Sequence, residues 1–209
     1  MSVGRGIGRA WLTAAGLLVA TATAAPAGSP TEQVRQYTDH VQRILHDTSL
    51  PQADKRAAVS KIAHEVFDLT ETARRALGRH WQGRTPAQQA EFVQLFADLL
   101  ERTYVAKVDY YGGEQVHFTA ETVDGDYAVV RGKVVTRQRT EIPVEARLHQ
   151  RDGRWLIYDV IIESVSLVGN YRSQFDRIIR SGSYEELVRR LKTRRDEFVP
   201  VKERRPTRS

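Results

Sequence analysis

Along the chain the spacing of apolar positions changes from a helical period to a strand period near the middle, and changes back near the end. Val34, Tyr37, Val41, Ile44 and Leu45 recur at i, i+3 and i+4 and predict a helix over 31–47. A second helix is predicted from Pro51, in its first turn, to Phe67. Asp68-Leu69-Thr70-Glu71 reads as a capping box that opens a short third helix, which Gly78 stops. Thr85-Pro86-Ala87-Gln88 is a stronger start, with a capping hydroxyl, proline in the first turn and glutamine three residues on. The fourth helix is predicted to reach about Val108, with Phe92, Phe96, Leu99, Leu100 and Thr103 on one stripe, and Trp81 is expected to pack into this helical layer.

The second half alternates at period two. In 141–150, Ile142, Val144, Ala146 and Leu148 alternate with charged or polar residues and point to one buried face. Asp152-Gly153 is a two-residue hairpin signal, and the register it sets pairs Leu148 with Ile157, Ala146 with Asp159 and Val144 with Ile161. Trp155, Ile157, Asp159 and Ile161 are therefore expected on the core face. Val123-Asp124-Gly125 is expected to form a three-residue loop that brings Val116, Phe118 and Ala120 beside Ala128, Val130 and Val134. Leu156, Val160 and Ile162 make the last strand apolar on its other face too, so part of that face is expected to be covered. Ser164 or Ser166 then caps a helix carrying Leu167, Val168, Tyr171, Phe175, Ile178 and Ile179, and Ser183 caps a final one through Leu191. The fold class is α+β: N-terminal helices, a four-stranded antiparallel sheet and C-terminal helices.

The N-terminus changes the picture of where this domain works. Arg5 and Arg9 precede an apolar run over 10–22 that is short for a membrane span, and Ala22-Thr23-Ala24 is a small-residue cleavage signal. Residues 1–24 are read as a signal peptide cut after Ala24 or Ala27, 25–191 as one domain, and 192–209 as a basic, disordered tail. No cysteine is available for disulfides, thiolate metal sites or lipidation, so an exported chain must rely on its core. The net charge of +6 comes from the ends, because the signal segment holds two arginines and the tail seven basic residues against three acids. The body is neutral, and with no DNA- or RNA-binding motif a nucleic-acid partner is not expected.

Candidate chemistry is sparse. Asp159 is the one carboxylate that the register turns inward, and a buried charge must be paired or hydrogen-bonded. The favoured reading is structural: it accepts backbone N–H groups at the strand-to-helix turn or meets an arginine such as Arg172. A general-base role lacks an acid partner. His40, His46, His64, His80, His117 and His149 show no metal-ligand spacing, and His117 and His149 fall on outward faces. Tyr104, Tyr110 and Tyr111 either rim a pocket or pack at a helix end. Neither a metal nor a cofactor is expected.

The segments HEVFDLTETARRALGRHWQGRTPAQQAEFVQLFADLLERTYVAKVDYY (64–111) and WLIYDVIIESVSLVGNYRSQF (155–175), followed by the closing capped helix, resemble the MlaC / toluene-tolerance auxiliary component family. The LGRHW, TPAQQAEF, LLERTY, YDV and SLVGNYRSQF elements occur together and in the family's order. One departure is Ser164, where the family usually has glycine. The resemblance implies a helix-and-sheet cone related to the NTF2-like fold, with a deep apolar cavity for phospholipid acyl chains. It also implies periplasmic service between an inner-membrane MCE-domain ABC transporter complex and an outer-membrane lipoprotein complex. On this reading the sheet would line the cavity with Val116, Phe118, Val130, Val134, Ile142, Val144, Ala146, Leu148, Trp155, Ile157 and Ile161. Phe96, Leu99 and Val165 would complete it, and Asp159 would be structural. The resemblance implies a carrier and no enzyme. Alternatives are an enzyme on the same cone acting on a small apolar substrate with Asp159 as base, a side-chain-filled interaction module, and a sister branch in hopanoid or other lipid traffic.

Overall fold

A computed structural model describes residues 28–193 together with Phe198 and Pro200. The predicted signal peptide and its cleavage after Ala24 or Ala27 lie outside the described residues. Among the described residues there are six α-helices: α1 Pro30–His46, α2 Gln52–Val66, α3 Leu69–Leu77, α4 Pro86–Tyr104, α5 Leu167–Ser181 and α6 Tyr184–Thr193. Five strands lie between α4 and α5: β1 Gln115–Asp124, β2 Tyr127–Val135, β3 Glu141–Arg151, β4 Arg154–Ile162 and β5 Val165–Ser166.

The helix starts follow their side-chain caps. Asp68 accepts from the Glu71 amide at 2.9 Å. Thr85 and Gln88 close a reciprocal box at the head of α4. Of the two serines considered for α5, Ser166 is the cap, accepting from the Gly169 amide at 2.8 Å. The α-helical part of α4 stops at Tyr104, short of Val108, and continues as a 3-10 helix over Val105–Tyr110.

The sheet runs β1-β2-β3-β4-β5, antiparallel throughout. Its fifth strand was not expected. It exists because Glu163 and Ser164 both adopt positive φ, 48° and 69°, and fold Val165-Ser166 back against Ile161-Ile162. Left-handed backbone disfavours a side chain at Ser164, which gives the family's usual glycine there a physical reason.

Two β-bulges correct the expected registers. The Asp152-Gly153 turn has φ of 51° and 73°, as a two-residue mirror-type turn requires, and Leu148 does pair with Ile157. Tyr158 is then an extra residue, so Arg147 pairs with Asp159, Ala146 with Val160 and Val144 with Ile162. The slip gives Asp159 and Ile161 new partners, and Val160 and Ile162 pair with Ala146 and Val144, while Asp159 stays buried as expected, 5% exposed. Between β1 and β2 the turn is the two-residue Gly125-Asp126, closed by Asp124 and Tyr127, not the three-residue loop. Thr119 bulges, so Ala120 pairs with Arg131 and leaves the face that Val116 and Phe118 share with Val134. Gly132 sits at that bulge, where a Cβ would come within 2.6 Å of the His117 carbonyl.

Two apolar cores result. The sheet core joins Ala128, Val130, Leu148, Trp155 and Ile157 to Ile62 and Val66 of α2, with Val34, Tyr37, Val41 and Ile44 of α1 packed against it. The helical core joins α3, α4, α5 and α6 through Phe92, Phe96, Leu99, Tyr171, Phe175, Leu187 and Leu191. Phe96 stands edge-on to Tyr171 and Phe175, with ring centroids 5.2 and 5.3 Å apart.

Described residues beyond 191 also pack against the helices. α6 runs through Thr193, and Lys192 reaches Glu91 of α4 at 2.6 Å. Phe198 is 5% exposed and stands edge-on to Phe175 at 5.6 Å. Burial of an aromatic side chain against the helical core is favourable.

Candidate ligand cavities

The joint between α2 and α3 lies between the two cores and carries a buried polar anchor. The Asp68 amide donates to the Ile157 carbonyl at 2.9 Å, tying the joint to β4. The Asp68 side chain, 4% exposed, meets Arg151 Nη1 at 2.9 Å and His149 Nε2 at 3.1 Å. Burial pushes its carboxyl up, but the Glu71 amide, Arg151 and His149 together hold it below the ordinary aspartate value. His149, expected on an outward face of its strand, is thus part of an anchor, with its ring 5.9 Å from that of Tyr158. At the other end of α2, buried Lys55 donates to the Leu45 carbonyl at 2.9 Å.

Two apolar cavities flank α2. The inner one, about 250 Å³, lies between α2, α3, α4 and β4. Its walls include Ala63, Phe67, Leu69, Ala97, Leu100, Tyr104, Val160, Ile162 and Leu167. The other, about 440 Å³, lies between α1, α2 and the sheet, against Val34, Tyr37, Val41, Val59, Ile62, Val66, Val116, Val134 and Ile157. Ala63 and Phe67 line both, so the α2 backbone near its C-terminus is the partition. The inner cavity has a local cause. Ser60, Ala63 and His64 of α2 and Phe67, which follows its last turn, recur at i, i+3, i+4 and i+7, and Ala97, Leu100, Glu101 and Tyr104 repeat that spacing on α4. Small alanines face each other where a close-packed interior would hold larger side chains.

Exposure along the lining gives the cavity its direction. Thr72 and Asp159, 1% and 5% exposed, shut the inner end. His64 and Glu101 have side chains 52% and 44% exposed and stand at the other end, where Ser60 Oγ donates to Glu101 Oε1 at 2.9 Å. The mouth is therefore the seam between α2 and α4.

Of the residues assigned to a cavity from sequence, Val116, Val134 and Ile157 line the larger space. Phe118, Val130, Ala146, Leu148 and Trp155 pack in the sheet core, and Phe96 and Leu99 in the helical core. Ile142 is buried, Val144 is half-buried, and neither they nor Ile161 touches either cavity. Val165 is 44% exposed. Tyr104 lines the inner cavity and Tyr111 the larger one, while Tyr110 projects into solvent at 85% exposure. Sequence reasoning missed Ser60, Ala63, His64, Phe67, Ala97 and Glu101. The matched i, i+3, i+4, i+7 stripes of small and polar residues were the available signal.

Asp159 borders the inner cavity, but both its carboxylate oxygens are taken: Oδ2 accepts from Ser166 Oγ at 2.6 Å and Oδ1 from the Val168 amide at 3.0 Å. The carboxylate thereby fixes the β5–α5 turn. Of the two structural readings, the backbone N–H at the turn applies, with Ser166 in place of Arg172. Asp159→Asn is expected to lower stability by about 1–3 kcal/mol, because a charged acceptor of a buried amide is lost. Ligand occupancy should stay at the wild-type level. A variant that melts normally but loads no ligand, compared by thermal melting and native mass spectrometry, contradicts the structural role.

The family model described as MlaC protein matches residues 35–193. A relative from Haemophilus influenzae, the intermembrane phospholipid transport system binding protein MlaC, is 19% identical over 164 residues, covering 76% of this chain and 70% of that protein. A solved structure of a phospholipid-binding protein from Ralstonia solanacearum in complex with a phospholipid superposes with a TM-score of 0.70 at 25% identity. The match covers 83% of this chain and 99% of that one.

Proposed function

The chain belongs to the MlaC family, whose model spans residues 35–193, and from that premise we propose that it is a periplasmic carrier of phospholipid. The single observation that carries the reading is the pair of apolar cavities that share Ala63 and Phe67, about 250 and 440 Å³, in a chain of this length. A close-packed domain leaves few voids larger than a water molecule. Spaces of this size with apolar walls suit acyl chains, one in each cavity, with the polar end of the lipid at the surface. The relatives named above are described as phospholipid-binding or transport proteins, which agrees with a role in binding and transfer.

Energetics favours a carrier that needs no chemistry of its own. A diacyl lipid with roughly 30 buried methylenes at ~0.8 kcal/mol each loses about 24 kcal/mol on leaving a bilayer for water. A cavity that offers the chains a comparable apolar environment makes transfer nearly isoenergetic. Loading and unloading then depend on docking. In this reading residues 1–24 direct export and are removed after Ala24 or Ala27. The folded domain exchanges lipid with an outer-membrane lipoprotein complex and an inner-membrane MCE-domain ABC transporter, in maintenance of outer-membrane lipid asymmetry.

The decisive experiment is organic extraction of the protein purified from the periplasm of an expressing cell, beside native mass spectrometry of the intact complex. The expected result is a diacyl glycerophospholipid at about one molecule per chain. Protein that purifies empty, and stays empty after incubation with phospholipid vesicles, overturns the reading.

A further inference from the structure

The inner cavity is apolar along its walls and charged at its mouth, and the charge there has a sign pattern. Glu101 places a carboxylate at the α2–α4 seam, oriented by the Ser60 hydroxyl at 2.9 Å, with His64 Nε2 4.0 Å from its other oxygen. One turn further along the same helix, Tyr104 continues the cavity wall, and Lys107 lays its Nζ over that ring at 5.6 Å from the centroid. A carboxylate therefore stands at the opening, and an ammonium lies over the ring of a wall residue one turn on.

From this arrangement we infer that Glu101 sets headgroup preference, favouring phospholipids whose phosphate carries a terminal ammonium, of the phosphoethanolamine type, over anionic headgroups. The inference rests on the carrier reading and names the substrate class of the same site. A lipid whose chains run down the inner cavity leaves its phosphate and headgroup at the seam, since Thr72 and Asp159 close the opposite end. There the zwitterion meets both charges with the right signs: the phosphate faces Lys107 and the ammonium faces Glu101. A phosphoglycerol headgroup satisfies Lys107 but offers Glu101 no cation, and its net negative charge is repelled. Glu101 is a positioning residue for the headgroup and takes no part in holding the chains. Ser60 matters as its support, because a carboxylate already hydrogen-bonded at one oxygen presents the other in a fixed direction.

The test uses the mature full-length protein at pH 8 and low salt. It is incubated with vesicles of equimolar phosphatidylethanolamine and phosphatidylglycerol carrying identical perdeuterated chains, until the bound ratio stops changing. The deuterated lipid is then counted by native mass spectrometry. Wild type is expected to favour the ethanolamine lipid about threefold, the size of effect that a half-exposed ion pair supports. Glu101→Gln, which keeps a carbonyl acceptor for Ser60, should bring the ratio close to one at unchanged total occupancy. Glu101→Lys should carry it below one. If either variant loads lipid at the wild-type ratio, or wild type shows no preference, Glu101 is not the selector and the carrier reading still stands. Wild-type protein that takes up neither deuterated lipid removes both readings.

Discussion

Replacing Ala63 with tryptophan is expected to abolish lipid loading while leaving the fold in place. Ala63 is on α2 and lines both cavities, so an indole there blocks whichever space its rotamer enters, and a diacyl lipid that needs one space per chain can no longer load. In a filled core an insertion of this size costs about 1–3 kcal/mol through clashes and strained rotamers. Here the ring enters an existing void, of about 250 or 440 Å³, and replaces missing contacts, so the melting temperature should change little or rise. The two readouts are bound lipid per chain by native mass spectrometry and thermal melting. Wild-type occupancy at unchanged melting means that acyl chains lie elsewhere. A variant that loses lipid only because it unfolds shows itself in the melting curve.

A truncation after Thr193 should lower stability, although the stretch it removes is basic and proline-containing. The reason is Phe198, 5% exposed and packed edge-on against Phe175 in the helical core. Burial of one aromatic side chain contributes about 2 kcal/mol. In a domain of this size that corresponds to a fall in melting temperature of about 4–8 °C. Phe198→Ala in the full chain should reproduce most of the loss, whereas a truncation after Pro200, which keeps the ring, should cost little. Equal melting of wild type and the Thr193 truncation places the value of Phe198 near zero. The contrast between the two truncations separates packing from charge, since the residues beyond Pro200 still carry Lys202, Arg204, Arg205 and Arg208.

These expectations differ from what the composition of the tail suggests, and the difference is informative. Seven basic residues and two prolines outweigh three apolar ones in any local average, so the sequence pattern points to disorder. Whether Phe198 finds a pocket depends on Phe175 and Leu191, and on the space that α4, α5 and α6 leave between them. No window of the tail contains that information.

The same division runs through the rest of the molecule. Helix starts were legible because a cap is a local bargain between a side chain and an amide two or three residues on: Asp68 with Glu71, Thr85 with Gln88, Ser166 with Gly169. The Asp152-Gly153 turn was legible because a mirror-type hairpin needs positive φ at both residues, and this pair adopts it readily. The family motifs were legible for the same reason, being short and continuous. The bulges at Thr119 and Tyr158 were not. A strand alternates at period two on either side of a bulge, so its position is set by which cross-strand partners close best, and one extra residue changed the partners of Asp159 and Ile161.

The cavities were the least legible feature. Sequence identified an excess of apolar residues on the sheet, and most of those side chains turned out to pack in its core. The inner void instead sits where small residues on α2 and α4, Ala63 and Ala97 among them, face each other across a seam. Each residue's choice of helix and face was encoded locally, by period and cap. An empty volume is a property of several elements together, fixed by how far apart their backbones come to rest, and only the packed tertiary structure decides it.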